Sequence, residues 1–378
     1  MSANPRPRVL LLIPHLGGGG AEQVAAQLAR RLSRRRYEVH LGLITQAAVE
    51  PASLPPWVAV HTLGARRVRV AAVPLLRLVW RIKPDIILSG MAHLNFLVLL
   101  LRPLFGSKTL LLVRQNGTAS SALAFGDLPG YTRLAYQLLY RHADRVICQT
   151  QAMAADLAQT TGISERRMVV LPNPVDVAGI RAAMPEKSNT FTCGPWPYAG
   201  PHLLAVGRLA PVKGFDLLLQ ALAKVREHLP TAMLTILGTG PEEAALKALA
   251  VSLGLREAVR FAGHVDHPPA YFAGATLFVL SSRHEGLPNA LLEAAAAGLP
   301  LVALPASKGL VDLLQCQPGV WLAPEVSANA LATSLLAALA VLHPDQRFAH
   351  PFVEQFSLNL AVPAYEELID ASLRERQL

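Results

Sequence analysis

The alternation of short apolar runs with longer amphipathic stretches, continued along all 378 residues, most constrains the fold. Uninterrupted apolar runs are typical of strands that are buried on both faces, and such strands with helices between them form parallel sheets. The pattern therefore predicts an α/β protein with two βα arrays. The predicted strands are 9–13, 39–44, 85–89, 109–113 and 145–149 in the first array, and 203–206, 233–237, 259–261, 277–280 and 301–303 in the second.

The length also favours two domains, because it exceeds what one ordinary hydrophobic core holds. Between the arrays, the segment LPNPVD at 171–176 reads as a turn, and 187–201 is rich in Pro, Gly, Ser and Thr, as a linker is. We predict a first domain over 1–185 and a second over 186–362. A last helix at 363–376 is expected to pack back on the first domain.

Two carboxylates flank the start of a short helix predicted at 288–297. Pro288 suits its first position and Gly298 the residue just past its end. Glu285 then lies in the loop before the helix, where the positive dipole end attracts a phosphate. Glu293 lies about a turn and a half into the helix, where a carboxylate can accept hydrogen bonds from the vicinal hydroxyls of a ribose. The alternative is a helix with one capping acid and one surface acid.

Two cations occupy one loop in the segment VGRLAPVKG at 206–214. Arg208 offers a planar fork and Lys213 a point charge, so together they can hold both phosphates of a nucleoside diphosphate from different sides. They can also stabilise that diphosphate as a leaving group. The alternative is that both are solvated loop cations.

These two segments resemble the donor-site signature of the retaining glycosyltransferases of group 1 (family 4): EGLPNALLE at 285–293 and GRLAPVKG at 207–214. The segment LPNPVD is similar to the family's boundary element. The resemblance implies the GT-B architecture, with two facing Rossmann-like doubly wound parallel-sheet domains and an interdomain cleft. It implies transfer of a sugar from a nucleoside-diphosphate sugar, most often a UDP-sugar, to a lipid-linked or polysaccharide-precursor acceptor with retention of configuration.

The resemblance also implies roles for individual residues. Arg208 and Lys213 match the diphosphate ligands, Glu285 positions the donor sugar, and Glu293 holds the ribose. Further donor contacts are expected in the turns and around the second carboxylate segment, at Gly238, Gly240, His264, Val265, Gly286, Leu287 and Asn289. No resident cofactor and no bound metal are expected.

Candidates for the acceptor side follow the carboxyl ends of strands in the first array, where ligands of parallel sheets bind. The glycine-rich loop after the first strand does not match a dinucleotide fingerprint, because Glu22 stands where its third glycine belongs. The loop with Gly19 and Gly20 instead resembles the acceptor-side glycine loop of the same family, and the further acceptor-side candidates are His15, Arg114 and Asn116. His93 is a catalytic candidate, because the resemblance implies a polar contact to the donor sugar or the acceptor at its position. A core role for each lone histidine stays open.

Charge is concentrated in the first half, where residues 1–190 hold 23 Lys and Arg against 10 Asp and Glu. A dense basic window includes Arg30, Arg31, Arg34, Arg35 and Arg36. Such a field attracts anionic lipid head groups or lipid-linked pyrophosphates. Nucleic acid is not expected, because aromatic residues make up 6% of the chain and none interleave with these arginines. A solvated basic face is the alternative.

Three widely spaced cysteines favour a reducing cytoplasm, and the basic window is expected on the inner face of the cell membrane. No secretory signal is recognised, and the uncharged stretch 326–343 is expected to be a buried helix. Two further functions stay open. One is a nucleotide-sugar epimerase on the same scaffold, and the other is a non-catalytic binding protein of that fold.

Overall fold

The computed structural model describes residues 6–17, 19–45, 54–125, 132–184, 200–265, 268–343 and 345–376. The chain divides into two compact units. Unit 1 comprises Met1–Pro174 and Leu358–Leu378, and unit 2 comprises Val175–Ser357. The second unit starts earlier along the chain than the predicted boundary at 185, because the Val175 amide already donates to the carbonyl of Phe356 at 2.8 Å.

Unit 1 contains a seven-stranded parallel sheet. Its strands are β1 Arg8–Ile13, β2 Glu38–Leu43, β3 Ala59–Thr62, β4 Ile86–Ser89, β5 Leu110–Arg114, β6 Arg145–Cys148 and β7 Met168–Val170. They are arranged in the order β3-β2-β1-β4-β5-β6-β7. Side chains of β1 alternate between two cores, with Leu10 and Leu12 on one face and Val9 and Leu11 on the other. Burial on both faces explains the uninterrupted apolar sequence.

Unit 2 contains a six-stranded parallel sheet. Its strands are β8 His202–Val206, β9 Met233–Leu237, β10 Val259–Gly263, β11 Leu277–Leu280, β12 Leu301–Ala303 and β13 Val320–Leu322. Their order is β10-β9-β8-β11-β12-β13. Leu203 and Leu204 of β8 belong to separate cores on the two faces. The prediction of two doubly wound parallel sheets is confirmed.

Helices cover both sheets. They are α1 Gly20–Arg31, α2 Ala72–Ile82, α3 Ala92–Leu100, α4 Ala119–Phe125, α5 Thr132–Leu139, α6 Gln151–Thr161, α7 Val177–Ala183, α8 Phe215–His228, α9 Glu243–Ser252, α10 Pro269–Gly274, α11 Asn289–Ala296, α12 Lys308–Leu314, α13 Ala328–Val341 and α14 Leu358–Glu375. The stretch expected to be a buried helix at 326–343 forms α13, and the Ser327 hydroxyl accepts from the amide of Ala330 at 3.1 Å to cap its start.

Two helix boundaries differ from the sequence-based ones. Pro288 is the N-cap of α11, with extended backbone, and Asn289 is the first helical residue. The last helix begins at Leu358 and contains Pro363 in its interior. Proline removes one backbone donor, but burial of Tyr365 and Ile369 against the core of unit 1 holds the helix together through it.

The pattern of apolar runs did not predict three short strands, which are β3, β7 and β13. Each is the outermost strand at one end of its sheet, and most of their residues are only partly buried. An edge strand needs fewer apolar residues than a central one, so its sequence signal is weak. Among the described residues no helix is long and apolar enough to cross a membrane. Cys148 and Cys316 are free thiols, and Cys193 lies outside the described residues.

Candidate functional site

The sheet of unit 2 reverses its winding direction between β8 and β11. Because the chain leaves these neighbouring strands toward opposite faces, their carboxyl ends leave room for a ligand. The loop after β8 carries Arg208 and Lys213, and the loop after β11 carries Glu285. The structure therefore brings three residues from separate sequence motifs to one edge of the sheet.

Close backbone contacts join the two loops. Gly214 has a φ of 61°, and a Cβ at that position would lie 2.1 Å from the carbonyl oxygen of Ser281. The Ser281 hydroxyl donates to the carbonyl of Lys213 at 2.9 Å, and the Arg283 amide donates to the carbonyl of Val212 at 2.8 Å. Only glycine fits at 214, because both the left-handed conformation and the contact exclude a side chain.

Lys213 and Glu285 form the central ion pair of this edge. The Lys213 Nζ donates to Oε1 of Glu285 at 2.5 Å, and the Ser282 hydroxyl donates to the same oxygen at 2.7 Å. The side chains are 26% and 12% exposed. The two charges neutralise each other, and the pair remains accessible enough for a ligand to compete for either partner.

A second ion pair supports the first. Arg283 donates to both carboxylate oxygens of Asp216, in the first turn of α8, at 2.7 and 2.6 Å. This hydrogen bonding to Arg283 holds the pKa of Asp216 below its ordinary value. The pair links the loop before α11 to α8. The sequence did not identify it, since the residues are 67 positions apart and Asp216 belongs to no motif segment.

Arg208 and Glu293 complete the set of charged donor-side candidates. Arg208 is exposed and makes no ion pair with the residues that the structure describes. Glu293 is partly buried on α11, and this burial raises the pKa of its carboxyl group to about 7. A carboxyl group with that pKa can both donate and accept hydrogen bonds near neutral pH.

Two predicted turn glycines shape the loop that carries Arg208. A Cβ at Gly238 would lie 2.0 Å from the carbonyl oxygen of Gly207, and one at Gly240 would lie 2.3 Å from that of Leu209. Side chains at either position would displace this loop. The two glycines therefore act through backbone shape, whatever else they contact.

The other donor-side candidates are distributed around the same sheet edge. His264 and Val265 follow β10, the outermost strand on that side. Gly286 is buried, and the Leu287 side chain lies in the core that also contains Leu291. Asn289 opens α11, whose start has no side-chain cap.

In unit 1 the sheet reverses direction between β1 and β4, and histidines follow both strands. The Gly17 amide donates to Nδ1 of His15 at 2.9 Å, so a neutral His15 carries its proton on Nε2, which lies 3.9 Å from Oε1 of Glu22. The pKa of His93 is lowered from its ordinary value. The main cause is partial desolvation of the ring by neighbouring protein atoms, and the smaller cause is the nearby His15.

The glycine loop ends at the start of α1. Gly19 is its N-cap, and a Cβ there would lie 2.3 Å from Oε2 of the buried Glu22. Gly20 is the first helical residue. Gly18 lies outside the described residues. Glu22 was not among the sequence-based candidates, although it lies only two residues after the last glycine of the loop.

Arg114, at the end of β5, is only 2% exposed. Its guanidinium donates to the side-chain oxygens of Asn116 and Asn173, and Asn116 in turn donates to the carbonyl of Gly90. The Asn95 side chain donates to the Arg114 carbonyl at 3.0 Å. This network is polar but contains no carboxylate among the described residues. Asn173, which the sequence marked only as part of the turn and boundary segment at 171–176, lies 59 positions from Arg114 in the chain.

A doubly wound parallel sheet with charged loops at its switch point defines a class of α/β protein that binds ligands at the carboxyl ends of its strands. Two family profiles narrow this class. Residues 200–340 match the family described as Glycosyl transferases group 1, and residues 18–178 match Glycosyltransferase Family 4. The chain belongs to the group 1 glycosyltransferases, and its two parallel-sheet units have the GT-B fold.

Two curated relatives show how far the similarity extends. Over 177 residues the chain is 34% identical to the lipopolysaccharide core biosynthesis glycosyltransferase LpsE of Rhizobium meliloti, and it spans about half of that relative, 47% of each chain being covered. Over 315 residues it is 28% identical to N-acetylgalactosamine-N,N'-diacetylbacillosaminyl-diphospho-undecaprenol 4-alpha-N-acetylgalactosaminyltransferase of Campylobacter jejuni, covering 80% of this chain and 82% of that one.

Among solved structures, Anabaena HepE in complex with UDP-glucose superposes with a TM-score of 0.75. The identity is 18%, and the match covers 96% of this chain and 99% of HepE. At this identity the likeness supports the fold.

Proposed function

We propose that this protein transfers a sugar from a UDP-sugar to a lipid-linked or polysaccharide-precursor acceptor, with retention of anomeric configuration and without a bound metal. The observation that carries the proposal is the meeting of Lys213 and Glu285 at the switch point of unit 2. HepE, a structure of the same fold, is described in complex with UDP-glucose, and the Campylobacter relative is named for a diphospho-undecaprenol acceptor.

A diphosphate fits the charge arrangement at this edge. Lys213 and Glu285 cancel each other, Arg283 is held by Asp216, and Arg208 adds a positive charge that is not paired within the described residues. A bound diphosphate competes with Glu285 for the Lys213 ammonium, because two phosphates carry more negative charge than one carboxylate. Arg208 and Lys213 then stabilise the charge that develops on the leaving diphosphate.

Release of Lys213 leaves the Glu285 carboxylate available to a donor-sugar hydroxyl. The Ser282 hydroxyl keeps hold of Oε1, so the second carboxylate oxygen is the one offered to the sugar. Glu293, on α11, accepts hydrogen bonds from the ribose. Retention follows when the acceptor hydroxyl attacks from the side of the leaving group and the departing β-phosphate takes its proton.

The acceptor is assigned to the carboxyl edge of unit 1. His93 has a lowered pKa, so its imidazole is neutral at pH 7 and can accept or donate a hydrogen bond. His15 and the backbone at Gly19 and Gly20 lie along the same edge. Arg114 and Asn116 act as supports there, because their polar atoms bind each other and the Gly90 carbonyl.

The test supplies the purified protein with UDP-sugars and GDP-sugars, together with polyprenyl-diphosphate-linked acceptors. Release of nucleoside diphosphate and the mass of the product lipid are measured, and NMR of the product gives its anomeric configuration. Glu285→Gln and Lys213→Met are each expected to lower kcat/KM about 1,000-fold, by removing contacts that act in the transition state. Lys224→Met, an exposed change on α8, is the matched control and keeps full activity.

Other outcomes separate the alternatives. Conversion of the donor sugar to its epimer without any acceptor identifies an epimerase. Donor binding without turnover, unchanged in Glu285→Gln, identifies a binding protein. An inverted product excludes retention while leaving sugar transfer intact, and activity that requires an added divalent cation excludes metal independence.

A further inference from the structure

A histidine and a glutamate lie next to each other at the glycine loop of unit 1, where the sheet reverses direction. His15 follows β1, and Glu22 lies in the first turn of α1. Nε2 of His15 is 3.9 Å from Oε1 of Glu22, and the two side chains are 45% and 8% exposed. Glu22 is not needed for any step of the proposed sugar transfer.

The glycines of the loop leave room for these two side chains. A Cβ at Gly17 would lie 2.7 Å from Nδ1 of His15, and a Cβ at Gly19 would lie 2.3 Å from Oε2 of Glu22. Both distances are too short for a real Cβ atom, so a side chain at either position would displace its neighbour. The loop therefore holds an imidazole and a carboxylate in fixed positions beside one another.

A backbone hydrogen bond sets the orientation of the His15 ring. The Gly17 amide donates to Nδ1 at 2.9 Å, so the neutral ring carries its proton on Nε2. The Nε2–H group is a hydrogen-bond donor, and the neighbouring Glu22 carboxylate is an acceptor. Because nearly half of the His15 side chain is exposed, a ligand can reach this donor and acceptor pair.

The gap between the two atoms has the size that a hydroxyl group fills. At 3.9 Å, Nε2 of His15 and Oε1 of Glu22 are too far apart to hydrogen bond to each other. A hydroxyl oxygen about 2.8 Å from each atom fits between them, with an angle of about 90° between its two hydrogen bonds. A hydroxyl suits both sides because it accepts and donates, whereas an ammonium group has no acceptor and an ionised carboxylate has no donor.

The pair lies beside the catalytic candidate His93. Strands β1 and β4 are neighbours, and His15 follows the first while His93 follows the second. The two histidines are close enough for His15 to contribute to the lowered pKa of His93. An acceptor sugar that contacts His93 can therefore place another of its hydroxyls at His15 and Glu22.

We propose that His15 and Glu22 recognise one non-reacting hydroxyl of the acceptor sugar and so determine which saccharide the protein accepts. This inference rests on the proposed function and names a specificity contact of its acceptor side. The hydroxyl accepts a hydrogen bond from Nε2 of His15 and donates one to Oε1 of Glu22. A site built to bind a hydroxyl rejects an analogue without it, because its polar groups are then left without partners.

A purely structural role of Glu22 is the alternative. A carboxylate in the first turn of a helix is favoured by the positive end of the helix dipole. In that role Glu22 contributes to the stability of α1, and its loss affects every substrate equally. A dependence on one particular hydroxyl of the acceptor separates the two roles.

The experiment gives the full chain a UDP-sugar and farnesyl-diphosphate-linked glucose or N-acetylgalactosamine, each with its monodeoxy analogues. With the unaltered chain, one analogue is expected to show kcat/KM about 100-fold below that of its parent, because a hydrogen bond to a carboxylate is lost. Calorimetry is expected to show a matching loss of affinity for that analogue.

The variants Glu22→Gln and His15→Asn test whether this loss depends on the pair. Asn keeps a side-chain oxygen for the Gly17 amide but lacks the Nε2 donor, and Gln keeps the shape of Glu22 without its charge. In each variant the loss for the same analogue is expected to shrink to about fivefold, because the variant has already weakened the contact. The other analogues are expected to behave as they do with the unaltered chain.

Matched controls carry the same substitutions at exposed positions of unit 1. They are His142→Asn, in the 3₁₀ turn after α5, and Glu165→Gln, in the 3₁₀ turn before β7. Both are expected to discriminate among the analogues like the unaltered chain, and circular dichroism verifies that every variant is folded. The rise in melting temperature on adding UDP reports donor binding, and it is expected to be unchanged in Glu22→Gln and His15→Asn.

Equal responses of all analogues to Glu22→Gln overturn this inference, assign Glu22 a structural role and leave the proposed sugar transfer intact. The inference is also overturned if the variants change the response to a deoxy donor sugar instead of a deoxy acceptor, since the pair then contacts the donor. If the unaltered chain neither binds nor glycosylates any of the linked sugars, the proposed function fails, and the inference fails with it.

Discussion

At the carboxyl edge of unit 2, Lys213 and Arg283 each contact a carboxylate, whereas at the carboxyl edge of unit 1, Arg114 contacts the amide oxygens of Asn116 and Asn173. The two sheets share their winding and place these residues at corresponding ends of strands. The ion pairs of unit 2 are partly exposed, and Arg114 is buried.

Because of this difference in exposure, the cations of unit 2 can exchange their carboxylate partners for a ligand, whereas Arg114 of unit 1 cannot. A partly exposed pair costs little to open, because water and an incoming phosphate replace the lost contact. A buried guanidinium held by neutral amides has no such replacement, and losing its hydrogen bonds would leave a buried charged group without its acceptors. Unit 2 therefore offers a ligand-responsive edge, and unit 1 offers a fixed one.

The largest expected effect comes from Gly214, where the close contact between the two unit 2 loops requires a glycine. Gly214→Ala forces a left-handed alanine against the Ser281 carbonyl, and we expect it to lower the free energy of unfolding of unit 2 by about 3 kcal/mol. Urea denaturation, resolved by hydrogen exchange into the two units, measures this loss.

The matched control is Gly90→Ala after β4 of unit 1. No atom lies within 4 Å of the Cβ that this change adds, so we expect less than about 0.5 kcal/mol. Equal losses for both variants would show that the edges are packed alike, and the contrast between them would then disappear.

Removing each arginine tests the contrast directly. Arg114→Met is expected to destabilise unit 1 by about 2 kcal/mol, because it removes the buried guanidinium that donates to the Asn116 and Asn173 oxygens. Arg283→Met breaks a partly exposed pair and is expected to destabilise unit 2 by about 1 kcal/mol. The same hydrogen-exchange experiment reports both.

The ion pair of Arg283 with Asp216 is also expected to matter for activity. Arg283→Met loosens the loop that carries Glu285, and we expect about a tenfold decrease in kcat/KM, corresponding to about 1.4 kcal/mol. Asp216→Asn is expected to give the same decrease, and the double variant no more than either. Additive losses would show that Arg283 acts without Asp216.

The smallest effect concerns Glu293. Burial raises the pKa of its carboxyl from 4.5 to about 7, so the folded protein favours the protonated form. This preference for the protonated carboxyl contributes to the free energy of unfolding. The contribution is fully present below about pH 4.5 and is lost as the pH rises through about 7. Glu293→Gln is expected to match the unaltered chain at low pH.

Well above pH 7, Glu293→Gln is expected to be more stable by about 1 kcal/mol, because it carries no buried charge. Thermal unfolding over a series of pH values measures the difference. Curves that stay parallel across the series would mean that Glu293 ionises freely in the folded protein.

Much of the fold was predictable from the sequence. The central strands were found because burial on both faces demands apolar residues, and α13 because residues 326–343 form an uncharged, alanine-rich stretch. The edge strands β3, β7 and β13 were missed because partial burial leaves a weaker pattern. The start of α14 was placed too late, because Pro363 reads as a helix beginning and tertiary packing overrides it.

The candidate site was only partly predictable. The sequence marked Arg208, Lys213 and Glu285 through their two motif segments. It gave no sign of Asp216 as the partner of Arg283 or of Asn173 as the partner of Arg114, because neither pairing leaves a local pattern. Such partners depend on which strands become neighbours.

By itself the sequence determined the alternation of strands and helices, their parallel arrangement and the residue types available to hold a diphosphate. Local hydrogen bonding and the period of apolar residues suffice for that. Tertiary structure alone decided that Lys213 meets Glu285 across 72 residues and that charged pairs lie in unit 2 while amides surround Arg114 in unit 1. The physical reason is that a contact between distant residues is set by strand order and loop packing, which no short stretch of sequence encodes.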